Sequence, residues 1–259
     1  MLPSFLKPYH SDKSNLVRIG PNKDGGYVID KRAIKSSNMI VTCGLNDDWE
    51  FEKAFQKIND KIKVLAFDHT VNKVFWNKRF KKDIVSLISL KKIKPNQIAD
   101  VFKYLSYLKF FKDKNKHYVK KIVSYKKSSG QITINNALKN LEKILLKVDI
   151  EGDEYKILDQ INKNSKKINL LIIEFHDVSK NMRQIKNFVL KSNFKIIHIH
   201  ANNYAGFDKK GIPLVLEITF LNKKRFKISK KKSKNRYPIK GLDFGNLKRR
   251  DDINLTFNE

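Results

Sequence analysis

The sequence predicts an α/β fold built on a mostly parallel sheet. Three observations carry this. Seven short runs rich in Val, Ile, Leu and Phe recur along the 259 residues, each of strand length and each closed by a polar or glycine-containing turn. Amphipathic helical patterns separate most of them, which is the arrangement of βαβ units. The runs lack strict in/out alternation, as strands covered on both faces do.

In chain order, "RIGPNKDGGYVID" (18–30) comes first. Its Asp24-Gly25-Gly26 turn between two apolar stretches predicts a hairpin. "NMIVTCGL" (38–45) is the first sheet strand. In 47–60, Trp49, Phe51, Ala54, Phe55 and Ile58 share one helical face, with Asp47 or Asp48 as N-cap. "KIKVLAFDHT" (61–70) is the second strand. The gap to His117 exceeds a minimal crossover, so a helical insertion is expected over about 71–116, including an amphipathic helix at 96–113. Strands follow over 117–125, 143–152, 169–178, 194–203 and 213–221, with helices over 133–143, 153–162 and 179–192. The last two strands are joined by turn-like "YAGFDKKGI" and form an antiparallel hairpin at one edge. The chain thus divides into an N-terminal extension and hairpin (1–37), a sheet domain (38–221) and a basic C-terminal tail (222–259). The tail's run "NKKRFKISKKKSKNR" reads as an exposed excursion.

The formal charge of +29 is the outlier in composition. A basic surface attracts phosphates, anionic glycans or acidic lipid. Abundant Lys, Asn and Ile are also what an AT-rich coding bias produces, with most lysines as solvated surface. Cys43 is the single cysteine, so no intramolecular disulfide forms, which fits a reducing compartment. The first ten residues lack the apolar core of a signal peptide. No apolar run approaches the ~20 residues of a membrane span. A soluble, cytoplasmic protein is expected.

Ligands of open parallel sheets bind beyond the carboxyl ends of the strands. The apolar runs end in Gly44-Leu45-Asn46-Asp47-Asp48, Asp68-His69, Asp149-Ile150-Glu151-Gly152 and Glu174-Phe175-His176-Asp177, and the sixth in His198, His200, Asn202 and Asn203. Residues two apart share a strand face, which pairs Asp149 with Glu151, Glu174 with His176 and His198 with His200. Such carboxylate and imidazole groups suit a hard divalent cation, Mg²⁺ or Mn²⁺, with Asp149, Glu174 and His176 as its ligands. They also suit a general base, with histidine the natural candidate. Asp153 and Glu154 read more simply as acids at a helix N-terminus. The absence of GxGxxG and of a Walker lysine motif argues against dinucleotide binding and nucleotide hydrolysis.

"LLKVDIEGDEYKIL", with "RIGPNKDGGYVI", "CGLNDDWEFE", "IIEFH" and "IHIHANN" in order, resembles the FkbM-type methyltransferases over about 18–220. The resemblance implies a class I, Rossmann-like three-layer sandwich of strand order 3-2-1-4-5-7-6 and O-methylation by S-adenosylmethionine, often of a sugar hydroxyl. It implies that Gly44 and its loop, with Asn46 and Trp49, face the cofactor, that Asp68 binds its ribose, and that Asp149 and Glu151 lie where this fold places catalytic groups. Gly25 and Gly26 would form a lip over the cofactor pocket, and His176 or His200 would be the base. The departure is at the first strand, where acid-x-Gly-x-Gly becomes "TCGLNDD", with Thr42 in place of the acid and no second glycine. The expected partner is a carbohydrate or small-molecule acceptor, with an anionic glycan or membrane surface as a further candidate. Two rivals stand beside it: an RNA-binding or RNA-methylating protein, and a non-catalytic domain held on an anionic surface. Nucleic acid is the weaker partner, because the basic run lacks interleaved aromatics for stacking.

Overall fold

The computed structural model describes residues 1–88 and 95–258. The part of the expected 71–116 insertion at 89–94 lies outside the described residues. The strands are β1 (Leu16–Ile19), β2 (Tyr27–Asp30), β3 (Met39–Cys43), β4 (Lys63–Phe67), β5 (Lys116–Tyr118), β6 (Lys121–Ile122), β7 (Gln131–Ile132), β8 (Ile144–Val148), β9 (Ile168–Phe175), β10 (Phe194–Ala201) and β11 (Leu216–Asn222). The helices are α1 (Lys31–Ser36), α2 (Glu50–Ile58), α3 (Lys73–Ile88), α4 (Pro95–Phe110), α5 (Ile134–Ala137), α6 (Leu158–Lys163) and α7 (Val178–Lys191).

Seven strands form the main sheet in the order β10-β11-β9-β8-β3-β4-β5. All pairs are parallel except those of β11, which runs antiparallel to both β9 and β10. Numbered along the sheet domain, this is 3-2-1-4-5-7-6. The expected terminal hairpin is there, but only β10 sits at the edge; β11 is inserted inside it. Strands β8, β9 and β11 are buried along their whole length, which is why their sequences read as continuous apolar runs.

Several expected elements are shorter than their patterns. The strand expected over 117–125 divides into β5, a short edge strand rich in charge, and β6, which pairs with β7 outside the main sheet. A short, charged strand at an exposed sheet edge offers little for another chain to pair with. The helix expected over 133–143 is only α5, capped by Thr133 through the Asn136 N–H, because asparagines are weak helix formers and Asn140 takes φ +60°. The helix expected over 153–162 opens as a 3₁₀ turn at Glu154–Ile157 before α6.

The β1–β2 hairpin lies across one face of the sheet. Thr219 Oγ1 donates to Val28 O at 2.7 Å, and the Lys147 ammonium stands 5.3 Å from the Tyr27 ring. The C-terminal stretch, expected as an exposed excursion, folds back over the same end: Tyr237, Ile239, Ile253 and Leu255 are buried and join the main core. Backbone bridges tie Leu2 to Phe257 and Tyr9 to Lys232. A second core cluster, under α3 and α4, holds Leu45, Trp49, Ala66, Val71 and Trp76.

Candidate active site

The carboxyl ends of β3, β4 and β8 meet at Gly44. Its φ is +84°, and a Cβ there would lie 1.5 Å from Asp149 O. Only glycine allows these two strand ends to touch. Asp149 N donates to Cys43 O at 2.8 Å, and Gly44 N to Phe67 O at 3.0 Å. Below them a cavity of about 400 Å³ is lined by Gly44, Asn46, Phe67, Asp68, Asp149 and Glu151. A smaller cavity of about 170 Å³ shares Asn46 and Asp149 with it and is closed by Asp24, Gly25, Tyr27 and Lys147. Gly25 of the hairpin turn thus lines the smaller cavity and not the larger one. Gly26 is part of neither: an added Cβ would meet Pro21 O at 2.1 Å, so Gly26 serves the turn's own packing.

Asp68 lines the larger cavity, but both its oxygens are engaged. Oδ2 accepts from Leu45 N (2.9 Å) and Asn46 N (2.8 Å), and Oδ1 from Thr70 N (2.7 Å) and Thr70 Oγ1 (2.6 Å). Burial disfavours its charge, yet these bonds outweigh burial and hold the carboxyl below its ordinary range. Asp68 ties the loops after β3 and β4 together, a role its expected ribose contact did not anticipate. Trp49 is a plain correction. It is buried among Trp76, Tyr107, Phe110 and Phe111, away from both cavities. Its helical spacing was that of a core residue.

Asp149 stands on the wall between the cavities. Burial raises its carboxyl to about 6, against the pull of Lys147 and His176. Glu151 (φ +55°) reaches back so that its Oε2 lies 3.4 Å from His176 Nε2. The other ring nitrogen, Nδ1, lies 2.8 Å from Glu154 Oε1, which also accepts from Gly152 N. Burial lowers the His176 pKa, but the bond to Glu154 and the surrounding acids raise it overall. Glu154 is thus more than a helix acid: it is fully buried and orients the site's histidine. Asp149, Glu151 and His176 place ligand atoms within 4.8 Å of one another. Glu174, expected in this set, is not in it; it accepts from Asn202 Nδ2 at 3.0 Å, just past the end of β10 and two strands away in the sheet.

His200 is the second correction. Register sets Glu174 opposite Glu217, and Glu217 opposite His200. The imidazole is buried, with Nδ1 3.1 Å from Glu217 and Nε2 3.0 Å from Asp252. Burial opposes its charge, but these two acids raise it to about 10, so it is a charged clamp at neutral pH and cannot accept a proton. His198 Nε2 lies 3.1 Å from Asp243 Oδ2.

Sequence reasoning missed Lys147, Glu154, Asp24 and Tyr27. Lys147 left a signal, a lysine inside an otherwise apolar strand. Thr42, in the acid's place, donates to the buried Glu52 at 2.6 Å, so an acid does reach this point, from α2.

No family model matches the chain, and no curated protein matches its sequence. Among solved structures it is similar to precorrin-6y C5,15-methyltransferase from Geobacter metallireducens GS-15, at 8% identity and TM-score 0.38, covering 74% of this chain and 87% of that one. It is similar to the fibrillarin pre-rRNA processing protein of Methanococcus jannaschii, at 13% identity and TM-score 0.36 over 73% and 68%. It is also similar to M. jannaschii TYW2 in complex with AdoMet, at 12% identity and TM-score 0.33 over 74% of each chain. The fold itself is Rossmann-like by its own sheet, in which only β11 breaks the parallel order. At these identities and TM-scores the likenesses decide nothing about this chain.

An adenosyl group fits the larger cavity by volume, by the apolar wall of Phe67, Ile122 and Ile150, and by the turn at Gly44–Asn46. The Asp68 carboxylate can meet a ribose only by sharing acceptor sites that the loop amides and Thr70 already use. Among the described residues, no helix is long and apolar enough to cross a membrane.

Proposed function

We infer that the chain is a methyltransferase that holds S-adenosylmethionine in the 400 Å³ cavity and receives a hydroxyl acceptor through the adjoining 170 Å³ one. The observation that carries this reading is Asp149, a carboxylate on the shared wall whose pKa of about 6 suits a base near neutral pH. The bound sulfonium supplies the methyl group. Asp149 accepts the proton of the acceptor hydroxyl. Lys147 and His176 hold Asp149 ionised between turnovers, and Glu154 keeps the His176 ring in place. The acids around His176 favour its protonated form, so the carboxylate is the proposed base.

The inner cavity mixes acceptors and donors: Asp24, Asp48 and Asp149 against Lys23, Lys147 and the Tyr27 hydroxyl. That mixture suits a neutral polyhydroxylated acceptor, such as a sugar, better than a phosphate chain. Net negative side chains at the reacting point oppose an RNA backbone, whatever the overall charge of the surface.

A divalent cation is a second reading of the same groups. Glu154 on Nδ1 leaves His176 Nε2 facing Asp149 and Glu151, which is how carboxylate–histidine pairs present a ligand nitrogen. A bound Mn²⁺ would take the place of the proton on Nε2.

The test is calorimetry with S-adenosylmethionine on the wild type and Asp149→Asn, followed by transfer of labelled methyl to a panel of glycans and RNA. Both proteins should bind the donor, and only the wild type should label a glycan. No binding by the wild type sinks the enzyme reading, labelled RNA replaces the acceptor class, and full turnover by the variant removes the base. A melting temperature that rises with Mn²⁺ in the wild type but not in Glu151→Gln supports the cation.

A further inference from the structure

A second cavity lies at the opposite end of the sheet. It is centred on the start of β10, about 20 Å by strand length from the residues that face the candidate active site. Its volume is about 410 Å³, and its lining includes Phe5, Lys7, Tyr9, Leu190, Lys195 and Lys232. The N-terminal segment is fastened there by Tyr9 N donating to Ile196 O at 2.7 Å.

The chemistry of this cavity is uncompensated positive charge beside an apolar strip. The ammonium groups of Lys195 and Lys232 lie 4.4 and 4.0 Å from the centre of the Tyr9 ring. Lys195 Nζ donates to the Tyr9 hydroxyl at 2.9 Å, and Lys232 Nζ to Lys7 O at 2.6 Å. Lys223 is close enough to act on Tyr9 as well. Among the described residues, no acidic side chain lines the cavity. Burial lowers the Lys232 pKa, and Lys195 and Lys7 lower it further; Tyr9 alone opposes them, with no carboxylate among the causes. Like charges held this close repel, and an anion placed among them removes that cost. The tyrosine hydroxyl and three ammonium groups are donors that phosphate oxygens accept. The cavity's apolar lining is Phe5 and Val189, both half-buried, and Leu190, which is 62% exposed.

We propose that this cavity binds the phosphate headgroup of an anionic lipid, with Tyr9, Lys195 and Lys232 on the phosphate and the lipid chain along Phe5, Val189 and Leu190. The lipid is preferred to free phosphate because the apolar strip adjoins the lysines and has no other occupant in the described chain. The charge of +29 draws the whole protein to an anionic bilayer, and the cavity gives that attraction a defined point of contact. This is independent of methyl transfer and stands or falls separately from it.

The experiment is cosedimentation with phosphatidylcholine vesicles, with and without about 30 mol% phosphatidylglycerol, near physiological salt. Lys195→Gln/Lys232→Gln is compared with Lys57→Gln/Lys61→Gln, which removes the same charge from exposed positions elsewhere. Binding to phosphatidylglycerol vesicles should fall about thirtyfold in the first variant, the effect of two lysines at a membrane surface. It should fall less than about twofold in the second. Equal losses in the two variants, or wild-type binding no tighter than to pure phosphatidylcholine, overturns the site. A second measurement needs no variant. Short-chain phosphatidylglycerol should raise the wild-type melting temperature more than the same concentration of inorganic phosphate. An equal rise with phosphate alone overturns the lipid in favour of a free anion, and no rise with either overturns the site.

Discussion

The charge state of His200 can be tested without knowing the acceptor. Its imidazole lies between Glu217 and Asp252 at 3.1 and 3.0 Å, and its pKa is raised to about 10 from the ordinary 6.5. A folded-state pKa above the unfolded one contributes stability that is complete below about 6.5 and is lost as pH rises toward 10. The folded state alone holds the proton across that window, so the slope is about 1.4 kcal/mol per pH unit and the whole contribution at most about 5 kcal/mol. Other groups also titrate there, so the useful quantity is a difference. In His200→Gln the two acids lose their cation, which should cost about 3–5 kcal/mol near pH 7. The gap between wild type and variant in urea unfolding should then narrow steadily from pH 7 to 10. NMR of the wild type at pH 8 should show both ring nitrogens protonated. A gap that stays constant with pH, or a neutral ring at pH 8, would refute the clamp and return His200 to the list of possible bases.

Gly44→Ala should lower the melting temperature by at least about 5 °C and abolish donor binding, because its Cβ would lie 1.5 Å from Asp149 O and drive β3 and β8 apart; a melt and a calorimetric titration check this, and parental values for both defeat it. Asp68→Asn should cost about 1–3 kcal/mol through its loop hydrogen bonds. Because the Asp68 pKa is lowered in the folded state, wild-type stability should fall as pH drops below about 4, and the variant should lack that component when both are unfolded between pH 3 and 6. Glu154→Gln should lower the His176 pKa, since Glu154 is its main raising partner; an unchanged NMR titration midpoint would remove Glu154 as the group that positions the ring.

Much of the fold was legible because it is local. An apolar run buried on both faces reads the same wherever it stands in the sheet, so the seven strands and the hairpin at 18–30 could be found one at a time. The shortfall at 117–125 came where the strand leaves the main sheet, and that at 133–143 where asparagines and the positive φ of Asn140 end the helix early. Side-chain roles divided the same way. Asp149 and Glu151 follow a buried strand directly, and their place at its end is a property of that one segment.

The sequence by itself determined the strands, their helical crossovers, the glycine at the meeting of two strand ends and the acids that follow β8. Tertiary structure decided which of those polar groups are free to act. His198 and His200 look alike in "IHIH", yet both are committed by acids 45 and 52 residues away, on a tail with no motif. Trp49 and Asn46 share one loop, but α4 covers the tryptophan and leaves the asparagine in the cavity. A side chain's pKa and accessibility depend on which distant charges and rings pack against it, and cross-strand register and chain return set those neighbours.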